Sequence, residues 1–295
     1  MKVKNLFPTL KKTFSGWTDD QTFRQSAAIG YYAIFAFPAL LVIIVAIAEF
    51  ITRNNKVSDV LFSAIASTLG ANSAKQVTQI IAKAGNTGNS IWATIIGVIA
   101  LLAGATGVFV ELQKSLNIIF EVKPKENAGF MHLLVERLFS FGIILTIAFL
   151  LLVSLILTSF LAGLEGWLKG HFSDGAVYVI FIVNELLSFG IISFLFALMF
   201  KVMPDVKIPW KPVWYGAFLT AFLFILGKYG LALYFGKVKP ESAYGAAGSI
   251  VLIMLWVYYS SMILFFGAQF TKQYTLDQNK ALVPESHAEH SKAPQ

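Results

Sequence analysis

The sequence predicts an all-α polytopic membrane bundle of six transmembrane helices, and three observations carry that prediction. Of 295 residues, 57% are hydrophobic and only 13% are charged, with a mean hydropathy of +0.69, whereas a soluble domain is about a quarter charged. So few charges cannot cover a surface that faces water. The apolar residues also fall in runs long enough for a helix to cross a hydrocarbon layer of about 30 Å. Cysteine is absent, which excludes disulfides, thiolate metal sites and cysteine nucleophiles.

Three segments organise the chain. Residues 1–26 form an N-terminal segment in which Leu6, Leu10, Phe14 and Trp17 recur at helical spacing, with Lys4, Lys11 and Lys12 elsewhere on the wheel. This pattern suits a basic amphipathic helix on a membrane surface or a helix packed on the end of the bundle. Residues 27–274 form the membrane domain. Its spans are read as Ala27–Ile51, Ile91–Val110, Leu138–Leu164, Ala176–Phe200, Val213–Phe235 and Ala246–Phe270. Residues 275–295 are polar and are expected to form a disordered tail, with His287 and His290 as solvated residues.

Charge sets the orientation. Fifteen Lys and Arg residues flank one side of the spans and seven the other, with Lys228 inside a span. The basic side faces the cytoplasm, so both termini are expected inside. The basic residues are scattered through loops rather than gathered in a stripe, so the formal charge of +7 reflects orientation and not nucleic-acid binding. In the first external segment, Thr52–Ser90, Leu61, Ile65 and Leu69 recur every four residues and Val77, Ile80, Ile81 and Ala84 follow a helical stripe. Two short interfacial helices are expected there.

Several residues stand out as candidates for function or packing. Pro38 in the first span removes a backbone hydrogen bond and predicts a kink, with Tyr31 and Tyr32 two turns before it. Ala100 with Gly104 and Ala103 with Gly107 place small residues four apart, a signal for close helix approach. Gly245 and Gly248, three apart at the start of the last span, are further helix-packing candidates. Asn184, Glu185 and Ser188 share a stripe of the fourth span, and Lys228 lies at a similar depth in the fifth. An intramembrane charge is costly alone, so Glu185 and Lys228 either pair, directly or through one water, or the lysine stem snorkels to the headgroups and the glutamate holds its proton. Such polar residues line a solute pathway if they face a hydrated cavity, and act as interhelical glue if they are buried on all sides.

The motifs resemble a known family. Tyr31-Tyr32-Ala33-Ile34-Phe35-Ala36-Phe37-Pro38, Leu116-Asn117, Tyr244-Gly245-Ala246-Ala247-Gly248-Ser249, Trp256-Val257-Tyr258-Tyr259-Ser260 and Phe266-Gly267-Ala268-Gln269-Phe270-Thr271 are similar to the YihY/BrkB family of bacterial inner-membrane proteins, historically labelled ribonuclease BN. The resemblance spans about Phe23 to Tyr274 and implies six transmembrane helices in a bacterial cytoplasmic membrane. Relatives commonly carry Glu where this chain has Gln269; if that carboxylate binds a cation or proton in relatives, the role does not carry over to the amide here.

The expected function is transport or export of a lipid-like or amphiphilic solute, with a non-transporting envelope scaffold as the alternative. Its expected partners are membrane lipids and an unidentified solute, with a homo-oligomer compatible and no nucleic acid. No cofactor and no metal are expected. No Walker-type glycine loop occurs, so ATP is not expected to drive the chain directly. His132 near Glu136 and His171 near Asp174 fall short of the clusters that metal-dependent or acid-base phosphodiester cleavage needs, so no catalytic residue is assigned.

Overall fold

The computed structural model describes residues 6–19, 21–34, 107–125, 174–238 and 248–291, together with the single helical positions Phe62 and Lys75. In chain order these residues form α1 (Leu6–Asp19), α2 (22–34), α3 (107–119), β1 (Val122–Pro124), α4 (Asp174–Val202), β2 (Val206–Lys207), α5 (Trp210–Val238), α6 (Gly248–Leu276), β3 (Val283–Pro284) and β4 (Ala288–His290). The expected third span, Pro38, and all of Thr52–Ser90 except Phe62 and Lys75 lie outside the described residues.

Helices α4, α5 and α6 are 29 residues long each. Each carries a window apolar enough to cross a membrane: Glu185–Val202, Trp210–Leu231 and Ile250–Leu276. Only 22 to 33% of those windows is buried inside the protein. Leu186, Phe222, Leu226 and Leu233 are among the large apolar side chains that point outward. An apolar exterior on helices of this length is stable in lipid and not in water.

Helices α5 and α6 meet through a reciprocal Gly-Thr arrangement. A Cβ at Gly216 would strike the Thr271 hydroxyl and approach the Gly267 carbonyl at 3.1 Å, while one at Gly267 would strike the Thr220 hydroxyl and come within 3.1 Å of Phe200. Each threonine donates back to the glycine carbonyl of its own helix, Thr220 Oγ1 to Gly216 O at 2.6 Å and Thr271 Oγ1 to Gly267 O at 2.8 Å. Gly-x-x-x-Thr on both helices thus lets two antiparallel backbones approach while the hydroxyls stay satisfied. Further along, Gly227 admits the ring of Tyr259.

The remaining helices are ordered around α6. Lys12 of α1 meets Asp277, Gly16 meets Gln269, Trp17 meets Met262, and Gly30 of α2 meets Met254 and Tyr258. The chain from α1 through α2 therefore runs against α6, with Gln21 at φ 55° marking the turn between them. Gly107 of α3 lies against Tyr32, and the end of α3 reaches Asp205 and Lys272 through Asn117 and Glu121. Thus α3 runs with α6 and against α2.

Two sequence expectations change here. Toward α6, helix α1 turns Thr9, Thr13 and Gly16 together with Trp17 of the expected stripe, whereas Phe14 of that stripe is 58% exposed. Small and hydroxyl-bearing residues allow the close approach, as at the α5–α6 contact, and leave the Phe14 ring outward. The tail is also ordered as far as Ser291. Strand β3 pairs antiparallel with β2, and β4 with β1 in the register Val122 to His290. Main-chain donors and acceptors make this pairing, and Leu282 and Ala288 are buried beneath it. Polar side-chain composition carries little of that information.

The core lies at this strapped end. Leu116, Ile119, Phe120, Phe200, Val206, Ile208, Val213 and Phe265 are all buried in one cluster. The last span extends past Phe270 to Leu276 because its final turns are enclosed by α1 and by the tail.

Candidate functional site

Two features of the described residues are built for more than packing. The first is a polar hub around Asp205, in the short connection between α4 and α5. Gln113 Nε2 donates to its Oδ1 at 3.1 Å and Asn117 Nδ2 to its Oδ2 at 2.6 Å. The Asp205 main-chain N–H donates to Asn117 Oδ1 at 2.8 Å. His287 Nε2 lies within hydrogen-bond distance of Oδ1, at 3.2 Å. The Glu285 N–H donates to the Asp205 carbonyl at 3.0 Å. One buried aspartate thus joins α3, the α4–α5 connection and the tail. A buried carboxylate requires such partners, because its charge would otherwise be uncompensated. Beside it, the buried ammonium of Lys272 meets Glu121 at 3.1 Å.

The second feature is an apolar groove of about 550 Å³ between α1, α5 and α6. Phe14 and Trp17 form one wall, and Leu226, Gly227, Tyr259 and Met262 line much of the rest. Trp17 is fixed by its Nε1–H, which donates to the Met262 carbonyl at 3.0 Å, and by ring contacts with Phe23 and Phe266 at 5.0 and 5.9 Å. Gly230 also lines the groove and has no atom within 4 Å of its Cβ position, so the groove is open there.

The residues singled out from sequence are dispersed. Tyr31 and Tyr32 make an edge contact at 5.7 Å, and Tyr32 packs on Gly107. Pro38, Gly104 and Gly245 lie outside the described residues. Gly248 is the first residue of α6, and Asn184 lies in α4 with its side chain outside the described residues. Ser188 and Glu185 are half-buried on α4. Gln269 is buried against Gly16, where even a Cβ would strike its amide, and its Oε1 has no partner among the described residues.

No direct ion pair within 4 Å joins Glu185 and Lys228 among the described residues. Lys228 is exposed, with its ammonium 5.5 Å from the Tyr229 ring centre. Matching depth was insufficient because α5 buries Gly216, Thr220 and Gly227 on its packed face and turns position 228 outward, where a long lysine stem can snorkel. His287, expected to be solvated, belongs to the Asp205 hub. Asp205 itself was missed; the available signal was a lone carboxylate in a short, buried interhelical connection. No group of three His, Asp or Glu residues suited to a metal occurs among the described residues.

The combination of apolar spans, the Leu116-Asn117 element now seen gripping Asp205, and the Gly267 and Thr271 contact in the last span coincides with a family match. The family described as Virulence factor BrkB matches residues 13–294. The chain belongs to the BrkB family. Within it, the chain is 26% identical over 275 residues to a UPF0761 membrane protein of Verminephrobacter eiseniae, covering 91% of this chain and 61% of that one. It is 25% identical over 272 residues to one of Albidiferax ferrireducens, covering 90% and 61%. A UPF0761 membrane protein of Yersinia pestis is 31% identical over 185 residues, covering 62% of this chain and 60% of that relative. The BrkB-family chain thus spans about three-fifths of the length of these relatives. No solved structure matches it. The match establishes a membrane protein of this family.

Proposed function

We propose that this BrkB-family protein is a six-span protein of the bacterial cytoplasmic membrane, with both termini inside, that moves a lipid-like or amphiphilic solute and is not itself driven by ATP. The groove between α1, α5 and α6 is the observation that carries this reading. Its volume falls in the range of small-molecule sites, about 300–1,000 Å³, and its lining is apolar and aromatic. It runs beside the outward faces of two helices long enough to cross a membrane. The exposed Phe7, Lys11 and Phe14 of α1 add a basic, aromatic edge of the kind found at headgroup level.

A non-transporting envelope scaffold is the second reading, favoured by the Asp205 hub, which ties one end of the bundle into a single cross-braced unit. We assign no catalytic role in either case. Reconstitution into liposomes with fluorescent phospholipids and lysophospholipids tests the proposal. Flux above empty liposomes, reduced when Gly230→Leu fills the groove, is the expected result. Lack of flux for every amphiphile under every imposed gradient, with a folded protein, would favour the scaffold.

A further inference from the structure

The inward faces of α2 and α3 carry oxygen atoms that packing alone does not explain. Thr22 Oγ1, Gln25 Oε1 and Ser26 Oγ on α2, and Ser115 Oγ on α3, are buried without a hydrogen-bond partner among the described residues. Elsewhere in this fold helix hydroxyls turn back to their own backbone: Thr13 to Thr9 O, Ser193 to Phe189 O and Thr275 to Thr271 O, all at 2.7 to 2.8 Å. Ser26 and Ser115 have the same option at the carbonyls of Thr22 and Glu111 and do not take it. Buried polar atoms left this way are rare, and a bound water or ion is among the explanations for them.

A charge lies beside them. Glu111 is one turn before Ser115, half-buried at the edge of the buried face of α3, and no hydrogen bond or ion pair engages it among the described residues. Lys114 and Arg24 are exposed and make no bridge to it, and Lys272 is taken by Glu121.

Helix register brings the two faces to one level. α2 and α3 run antiparallel and touch at Tyr32 and Gly107, with Ile29 and Leu112 in the same cluster. At 1.5 Å per residue, Gln25 and Ser26 lie about 9–10 Å along α2 from Tyr32, while Glu111 and Ser115 lie about 6 and 12 Å along α3 from Gly107. Along the helix axes, the polar turn of α2 therefore lies at a level between the two polar groups of α3. Thr22, Gln25 and Ser26 share one face of α2 at spacings of three and four.

We propose that these faces bind a sodium ion, with the Glu111 carboxylate supplying the charge and the oxygens of Thr22, Gln25, Ser26 and Ser115 serving as neutral ligands. Hard oxygen donors with a single carboxylate balance a monovalent ion, whereas calcium and magnesium sites draw on more carboxylates or on phosphate. A proton alone would leave the buried neutral oxygens unused. The site goes beyond the transport reading and stands without it, since a scaffold can hold a structural ion; in a transporter it is where a coupling ion would sit.

Equilibrium binding of radioactive sodium to the full-length protein, purified in sodium-free detergent buffer, tests the site apart from any flux. The expected result is saturable, stoichiometric binding, with a saturable rise in Tm on adding NaCl that KCl and choline chloride at equal ionic strength do not reproduce. Glu111→Gln should weaken binding by at least about tenfold, the loss that even an outer-shell partner of a metal causes. Ser26→Ala with Ser115→Ala should weaken it several-fold, and Lys114→Gln should leave it unchanged. Should Glu111→Gln fail to fold, the serine double variant decides. Absence of saturable sodium binding, an equal response to potassium, or wild-type affinity in the decisive variant would overturn the proposal.

Discussion

Between Ile250 and Tyr259, α6 is half-exposed at almost every position, with Leu252 its one buried side chain; from Ile263 to Thr275 nearly every side chain is buried. The exposed half is the more uniformly apolar. The buried half holds Gln269, Thr271, Lys272 and Thr275. In water the order would be reversed, since burial would follow hydrophobicity. In lipid, apolar side chains gain little by leaving the tails, so close packing, small residues and satisfied polar groups decide where helices associate. The packed half of α6 is therefore the half where Gly267 admits α5, Gln269 receives Gly16 of α1, and Lys272 meets Glu121.

That contrast can be broken most sharply at Gly267. Gly267→Leu would force the α5–α6 backbones apart, since even a Cβ strikes Thr220, and should cost at least about 3 kcal/mol, at or beyond the usual range for overpacking. Thermal unfolding in detergent would measure it, and a Tm equal to wild type would refute the close-approach argument. Next is Asp205→Ala, which leaves the buried donors of Gln113 and Asn117 unpaired and should cost about 1–3 kcal/mol. Faster tryptic cleavage at Lys280 would show that the tail has lost its anchor.

Trp17→Phe keeps the ring in the groove but removes the donor to Met262 O, and a loss of about 0.5–1.5 kcal/mol is expected.

A smaller effect is expected at the α1 clamp. Burial tends to raise the Asp277 carboxyl, but hydrogen bonds from Thr9 and Lys12 and the Lys12 charge outweigh it and hold the group below its ordinary value. Its stabilising contribution is therefore present above the ordinary aspartate range, about 4, and is lost as pH falls through the depressed folded value. Trp17 emission should change only in that acid window. Asp277→Asn should remove the acid step and, as Lys12 is largely exposed, cost no more than about 1 kcal/mol at neutral pH. Gly230→Ala marks the opposite extreme: with nothing near its Cβ position, Tm should stay the same or rise slightly, by helix propensity alone. A large loss there would mean that the groove is already filled.

How much of this could be read without coordinates depended on which force shaped each part. The long apolar runs gave α4, α5 and α6 to within a few residues of their starts, because crossing a hydrocarbon layer is a matter of length and composition. Whether Glu185 and Lys228 pair directly was not legible, because depth along a helix follows from counting residues, whereas azimuth depends on which face packs. The ordered tail and its grip on Asp205 stayed hidden because main-chain pairing leaves little trace in side-chain polarity. Gln269 was identified by its departure from the family pattern, but its neighbour Gly16 was not, since contact between residues so distant in sequence arises only when α1 lies along α6.

By itself, then, the sequence determined that the chain lives in lipid, where its long helices lie, and which family it resembles. Each of these follows from local composition or from motif order. Tertiary structure decided that Thr9, Thr13 and Gly16 are the residues of α1 that approach α6 most closely, that Asp205 gathers α3 and the tail, and that the oxygens of Thr22, Gln25, Ser26 and Ser115 are buried. Those outcomes rest on the relative rotation and separation of helices, which small residues and buried hydrogen bonds fix only once the helices have met.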